Sequence, residues 1–124
     1  MGKVRLDAYV TAGVTDHITP WKSVYQTARI IGEETTFILS NAGHLQSLIN
    51  PPGNPKATFV TGAASSPDPD AFAASATKQS GSWWTHWSQW LSTRSGDKIE
   101  APSALGNAQF PPGQPAPGTY VFNA

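Results

Sequence analysis

The chain has 124 residues, with 8 basic and 8 acidic side chains and no net charge when histidine is neutral. That length allows one domain at most, and the balanced charge supplies no basic field for nucleic acid or an anionic membrane. Cysteine is absent, which excludes disulfides, thiolate metal sites and a cysteine nucleophile within the chain. No apolar run reaches the roughly 18 residues of a spanning helix, and no basic-then-apolar signal peptide opens the sequence. Five Trp and 39% hydrophobic residues are enough to pack a core, while 11 Gly and 11 Pro require much loop.

In chain order, Lys3 to Thr11 alternates, Leu6, Ala8 and Val10 against Asp7, Tyr9 and Thr11, which predicts a strand. Thr19-Pro20 is a helix start, with Thr19 as N-cap and Pro20 at the first helical position. Trp21, Val24, Tyr25, Ala28 and Ile31 follow helical spacing, and Gly32 closes the helix. Thr35 to Leu39 is a second β-rich run. Leu45 to Asn50 forms at most a short helical turn before Pro51-Pro52-Gly53-Asn54-Pro55. Thr58 to Thr61 is a short extended candidate, and Asp70 to Lys78 a weak Ala-rich helix. The clearest helix runs from Ser82 to about Ser95, capped by Ser82, with Arg94 in its last turn and Gly96 as its stop. Residues 97–124 carry Pro and Gly throughout and read as a tail that wraps a surface.

The order strand, helix, strand over residues 4–39 predicts a parallel crossover unit. The loops after both strands then leave the sheet at the same edge, where catalytic groups of open α/β sheets gather. The first loop is Gly13 to Thr19, the second Ser40 to His44. Asp16 and His44 are therefore expected to face each other across one cleft, an acid able to orient a histidine base. The order acid then histidine, one crossover apart, matches the second half of an α/β-hydrolase triad. The alternative keeps equal weight on spacing alone: His44 a plain loop histidine, Asp16 a turn residue bonding its own backbone. His17 reads as a structural loop residue, and the three histidines lack metal-ligand spacing.

Trp83, Trp87 and Trp90 lie at i, i+4 and i+7, extended by Trp84 and Leu91. No Lys or Arg interleaves them, which argues against base stacking and for packing of the helix onto the sheet. His86 beside that face is read as a core or surface residue, not a catalyst. No Gly-x-Ser-x-Gly or Gly-x-Cys-x-Gly elbow occurs. An acid and a base without a nucleophile point to the C-terminal piece of an α/β-hydrolase-type enzyme.

The segments Gly13-Val14-Thr15-Asp16-His17-Ile18-Thr19-Pro20-Trp21, Leu39-Ser40-Asn41-Ala42-Gly43-His44-Leu45-Gln46-Ser47 and Asn50-Pro51-Pro52-Gly53-Asn54-Pro55-Lys56-Ala57 resemble the C-terminal third of poly(3-hydroxyalkanoate) synthases. So do Gly81-Ser82-Trp83-Trp84, Trp87, Trp90-Leu91, Arg94-Ser95-Gly96, Leu105-Gly106 and Ala116-Pro117-Gly118-Thr119-Tyr120-Val121, with the single-subunit types the better match. Ala42 and Leu45 depart from the pattern, standing where Ser and Ile are usual.

The resemblance implies an α/β-hydrolase fold of which this chain holds the last parallel strands, a connecting helix and a Trp-rich helix, the sheet incomplete. Residues 1–96 would belong to the catalytic domain and 97–124 to a tail packed on it. The family implies polymerisation of 3-hydroxyacyl-coenzyme A into polyester with release of coenzyme A, by a Cys–His–Asp set. Asp16 matches the aspartate and His44 the histidine, while the cysteine would lie before Met1. Asp16 would either orient His44 or help to deprotonate the 3-hydroxyl of the incoming unit. The implied partners are the acyl-coenzyme A and the growing polyester, with no cofactor, metal, nucleic acid or transmembrane segment. The implied setting is a homodimer at cytoplasmic polyester granules.

The chain alone is expected to be inactive for want of the thiol. An esterase or depolymerase of the same fold, or a non-catalytic remnant binding polyester or protein, are the alternatives. The first strand is expected to leave an unpaired edge and the Trp stripe to be partly exposed, giving a marginal fold or an oligomer.

Overall fold

The computed structural model describes residues 6–123. Strand β1 (Tyr9–Gly13), helix α1 (Trp21–Ile31) and strand β2 (Thr36–Ser40) come first. They are followed by α2 (His44–Leu48), β3 (Thr58–Ala63), α3 (Pro69–Ser75), β4 (Thr77–Ser80) and α4 (Trp83–Ser92). β1 and β2 pair in parallel, from Tyr9 opposite Thr36 to Gly13 opposite Ser40, so α1 is the expected crossover. The rest of the sheet differs from the expectation of parallel strands alone. β3 runs antiparallel to β2, and β4 antiparallel to β3, giving a mixed four-stranded sheet in the order β1-β2-β3-β4. The connection from β2 to β3 is a loop holding only the short α2, and it returns the chain alongside β2 in the reverse direction.

Period-two alternation splits the strand side chains between two faces. On one face Val10, Ala12, Phe37, Leu39 and Val60 meet Tyr25 and Ala28 of α1 and Phe72 of α3. Tyr25, Phe37 and Phe72 form a mutually packed trio, with Phe37 edge-on to both others. On the other face Tyr9, Ile38 and Phe59 carry Trp83 and Trp84 of α4. The Trp stripe packs α4 onto the sheet as its spacing suggests: Trp83 is buried, and Trp90 lies edge-on to Tyr9. Trp87 is 41% exposed, because an i+4 step turns it toward the rim of that contact. β1 pairs with β2 alone among the described residues, so its outer side is a free edge.

Several boundaries move from their expected places. Regular pairing in β1 starts at Tyr9; Lys3 to Arg5 of the expected strand lie outside the described residues, and Leu6 is exposed. Thr19 does not cap α1: the cap position is Pro20, whose carbonyl accepts from the amides of Ser23 and Val24, and no side chain caps. Gly32 ends α1 in extended backbone, φ 171°, and not in the left-handed form. α3 begins at Pro69, capped by Asp68, whose carboxylate accepts from the Asp70 amide at 3.0 Å.

α3 ends at Ser75, and Thr77 and Lys78 belong to β4 instead of to a helix reaching Lys78. The open edge of β3 explains this change, since Thr77 to Ser80 can pair their backbone along it. Ser82 caps α4 by accepting from the Trp84 amide at 3.0 Å, but the helix ends at Ser92, three residues short of its expected end. Arg94 therefore lies beyond it, stacked 4.0 Å over the Trp90 ring and bonded to the Trp90 carbonyl. Residues 97–119 hold no strand or helix, and Ile99, Leu105 and Phe110 there are exposed. Among the described residues no helix is long and apolar enough to cross a membrane.

Candidate active site

The loops after β1 and β2 extend the parallel ladder past the strand ends. The Val14 amide donates to the Ser40 carbonyl at 2.9 Å, and the Thr15 amide to the Ala42 carbonyl at 3.3 Å. Gly13 allows this approach: a Cβ there would stand 2.4 Å from the Ala42 oxygen and 2.9 Å from the Ser47 Cβ. Asp16 follows on a turn closed by its own amide to the Gly13 carbonyl, and His44 is the first residue of α2. The two loops so place the two side chains that the sequence singles out side by side.

His44 Nδ1 and Asp16 Oδ2 are 2.8 Å apart. A carboxylate only accepts, so the ring donates from Nδ1, and the neutral ring leaves the Nε2 lone pair free. The Asp16 carboxylate is 5% exposed, and it receives three further bonds. Oδ1 accepts from the Ile18 and Thr19 amides, both at 2.9 Å, and Oδ2 accepts from the Thr19 hydroxyl at 2.7 Å. Burial alone would push this carboxyl up. The bonds from the Thr19 amide, the Thr19 hydroxyl, His44 and the Ile18 amide outweigh it and hold the group well below the usual carboxylate range. Asp16 is thus an anion throughout the neutral range, facing a half-exposed imidazole.

α2 has five residues, too few to be stable alone. Its last carbonyls are held from α4: Trp83 Nε1 donates to the Ser47 carbonyl at 2.6 Å, and Trp84 Nε1 to the Leu48 carbonyl at 2.9 Å. The Ser82 hydroxyl donates to the Asn50 carbonyl just beyond. On the other side Asn41 ties the proline segment back to β2, donating to the Lys56 carbonyl and accepting from the Thr58 amide. His44 therefore sits on a turn clamped at both ends.

The other histidines stand apart from this pair. His17 is exposed and its side chain makes no hydrogen bond among the described residues. His86 Nδ1 and the Tyr9 hydroxyl are hydrogen-bonded at 2.9 Å, with the imidazole between the Tyr9 and Phe59 rings on the α4 face. Burial pushes the Tyr9 hydroxyl up and the His86 ring down, so both are neutral at pH 7. Among the described residues no group of three His, Asp or Glu side chains gathers to hold a metal ion.

Thr19, Trp83 and Trp84 are the supporting residues that the sequence reading assigned elsewhere, Thr19 to a helix cap and the indoles to apolar packing alone. Only Thr19 had a local signal, its position three residues after Asp16, where a carboxylate reaches a following amide. Chemically the pair can take a proton at His44 Nε2 and stabilise the resulting imidazolium. A nucleophile is not among its neighbours: the chain has no cysteine, and no serine or threonine hydroxyl of the described residues bonds the ring.

No protein-family model matches the chain. It is 51% identical over 119 residues to poly(3-hydroxyalkanoate) polymerase 1 of Ectopseudomonas oleovorans, a match covering 96% of this chain and 21% of that protein. It is 50% identical over 120 residues to polymerase 2 of the same organism, covering 97% of this chain and 21% of the relative. Against the poly(3-hydroxyalkanoate) polymerase subunit PhaC of Cupriavidus necator it is 34% identical over 121 residues, covering 98% and 20%. The chain spans about a fifth of the length of these relatives. Over nearly its whole length it is homologous to the C-terminal part of the poly(3-hydroxyalkanoate) polymerases, the family its motifs resemble.

Proposed function

We propose that this chain supplies the acid–base half of a polyhydroxyalkanoate synthase of α/β-hydrolase type, with His44 as the base and Asp16 as its partner. The observation that carries the reading is the 2.8 Å bond between His44 Nδ1 and a buried Asp16 carboxylate, with Nε2 left free. In this reading a cysteine from the rest of the enzyme gives its proton to His44 Nε2. The thiolate attacks the thioester carbonyl of a 3-hydroxyacyl-coenzyme A, and coenzyme A leaves as its thiolate and takes the proton back. A 3-hydroxyl then gives its proton to Nε2 while its oxygen attacks the acyl-cysteine. The new ester forms and the cysteine is released.

The geometry favours one of the two roles open to Asp16. Its four acceptor directions are filled, by two amides, one hydroxyl and the His44 ring. A carboxylate so engaged and held far below its usual pKa is a poor base for a hydroxyl, so Asp16 orients His44, and both proton transfers pass through the histidine. Residues 1–96 belong to the catalytic domain in this reading. The tail after the left-handed turn at Gly96 packs against the remainder of the enzyme, a homodimer at the surface of cytoplasmic polyester granules.

The test is a hybrid in which this chain replaces the matching fifth of polymerase 1 of Ectopseudomonas oleovorans. It should release coenzyme A from a 3-hydroxyacyl-coenzyme A, and His44→Ala should cut that release by about 10³-fold or more. The 124-residue chain alone should release none. A folded hybrid without activity, or one indifferent to His44→Ala, overturns the reading.

A further inference from the structure

We propose that Thr19 is a positioning residue of this site: its hydroxyl fixes the Asp16 carboxylate in the one orientation that serves His44. The inference rests on the proposed role of the Asp16–His44 pair and goes beyond it to the group that holds the acid in place.

Oδ2 of Asp16 is shared by two donors, the Thr19 hydroxyl at 2.7 Å and His44 Nδ1 at 2.8 Å. Oδ1 takes two backbone amides, one of them that of Thr19 itself. Thr19 thus grips both oxygens, and the carboxylate cannot turn about its Cβ–Cγ bond without breaking a bond to it. The hydroxyl has one proton, and a carboxylate neighbour requires that this proton point at Oδ2. This direction complements the ring N–H, so both donors meet the same oxygen.

The anchor itself is well fixed. Thr19 precedes Pro20, whose ring excludes helical backbone at the residue before it. Pro20 in turn opens α1, whose Tyr25 and Ala28 are completely buried against the sheet. The Asp16 carboxylate is therefore referenced, through Thr19, to a helix packed on the buried core.

Two features separate this role from a structural one. The Thr19 hydroxyl does not cap α1, since no side chain bonds the first helical amides, and its one hydrogen bond among the described residues goes to Asp16. The residue is also exposed, so truncating it empties no cavity. The shape of the replacement then matters. Valine puts a methyl group where the hydroxyl stood and keeps water from Oδ2. Alanine leaves room for a water to donate in its place. Serine keeps the donor.

The experiment is nitrogen-15 and carbon-13 NMR of the 124-residue chain, reading the His44 ring tautomer and the Asp16 carboxyl titration. Wild type should hold neutral His44 with its proton on Nδ1. Thr19→Val should shift the tautomer ratio by about tenfold toward Nε2–H and move the Asp16 titration upward. Thr19→Ser should match wild type, and Thr19→Ala should fall between. A Thr19→Val chain with the wild-type tautomer and titration overturns the proposal, as does a Thr19→Ser chain behaving like Thr19→Val. A wild-type ring protonated on Nε2 does so without any variant. Inactivity of the hybrid enzyme would remove the polymerase reading and leave this result standing, so the two can fail separately.

Discussion

Asp16 Oδ2 and His44 Nδ1, 28 positions apart in the chain, meet in a single 2.8 Å hydrogen bond that fixes which ring nitrogen carries the proton. Asp16→Asn tests that dependence with almost no change of shape. The asparagine oxygen can keep the Ile18 and Thr19 amides, which leaves its NH₂ facing His44. The ring must then accept at Nδ1, its proton moves to Nε2, and the base is lost. In the hybrid polymerase kcat should fall by about 10³- to 10⁴-fold, measured as coenzyme A release. A loss below about tenfold would show that the tautomer is set by something other than Asp16.

The pairing of these two residues was legible because both signals are local. An alternating run, a helical run and a second β-rich run give β1, α1 and β2, and the loops that follow must share an edge. β4 was not legible. Thr77, Lys78 and Ser80 are exposed, so the strand carries no apolar alternation and exists because the β3 edge offers it partners. Thr19 was misassigned for a related reason. A threonine before proline is a cap candidate, but a cap accepts at its oxygen. Here the cap position falls one residue later, at Pro20, and the Thr19 hydroxyl donates to the carboxylate three residues back. The indole clamps on α2 lie 36 positions away in sequence, beyond any local pattern.

His86 gives the fold a pH dependence separate from the site. Burial holds its pKa in the folded chain below the ordinary value of about 6.5. A depressed folded pKa means that the unfolded chain binds the proton more readily. This contribution to stability is complete above about pH 6.5 and is lost as pH falls toward the folded value. Asp16 acts with the same sign in a lower window, beginning below the ordinary carboxylate value of about 4. Thermal melts between pH 8 and pH 5 should therefore show a falling Tm in the chain. His86→Phe, which retains a ring between Tyr9 and Phe59, should flatten that fall. An unchanged slope in the variant would assign it to another group.

Trp83 joins the α4 face to the turn bearing His44. Its indole N–H donates to the Ser47 carbonyl, and its ring packs on Ile38 and Phe59. Trp83→Phe removes the donor while keeping a ring, and should cost about 1 to 3 kcal/mol by leaving a buried carbonyl unpaired. Trp83→Ala should cost about 3 to 5 kcal/mol through lost packing as well. Both are read by chemical denaturation. The phenylalanine variant should also speed amide exchange at Ser47, whose own amide bonds the Gly43 carbonyl within the clamped turn. Equal exchange in the two proteins would mean that the indole does not hold α2.

At Gly13 the end of β1 lies against the second site loop, and the contact leaves no room for a side chain. A Cβ would stand 2.4 Å from the Ala42 oxygen, a backbone atom, and 2.9 Å from the Cβ of buried Ser47. Neither neighbour can rotate away, so Gly13→Ala must push the His44 loop from the Asp16 loop. The expected destabilisation is about 1 to 3 kcal/mol. The activity of the hybrid should fall further than that loss of folded protein explains, because separating the loops stretches the Asp16–His44 bond. Gly43→Ala is the matched control. Its Cβ would meet the Thr15 Oγ1 at 3.4 Å and the Thr15 carbonyl oxygen at 3.8 Å, neither close enough to force the backbone apart. Denaturation curves and coenzyme A release for both variants decide the matter. If Gly43→Ala proves as harmful as Gly13→Ala, the close approach of Gly13 to Ala42 and Ser47 is not what sets the spacing of the pair.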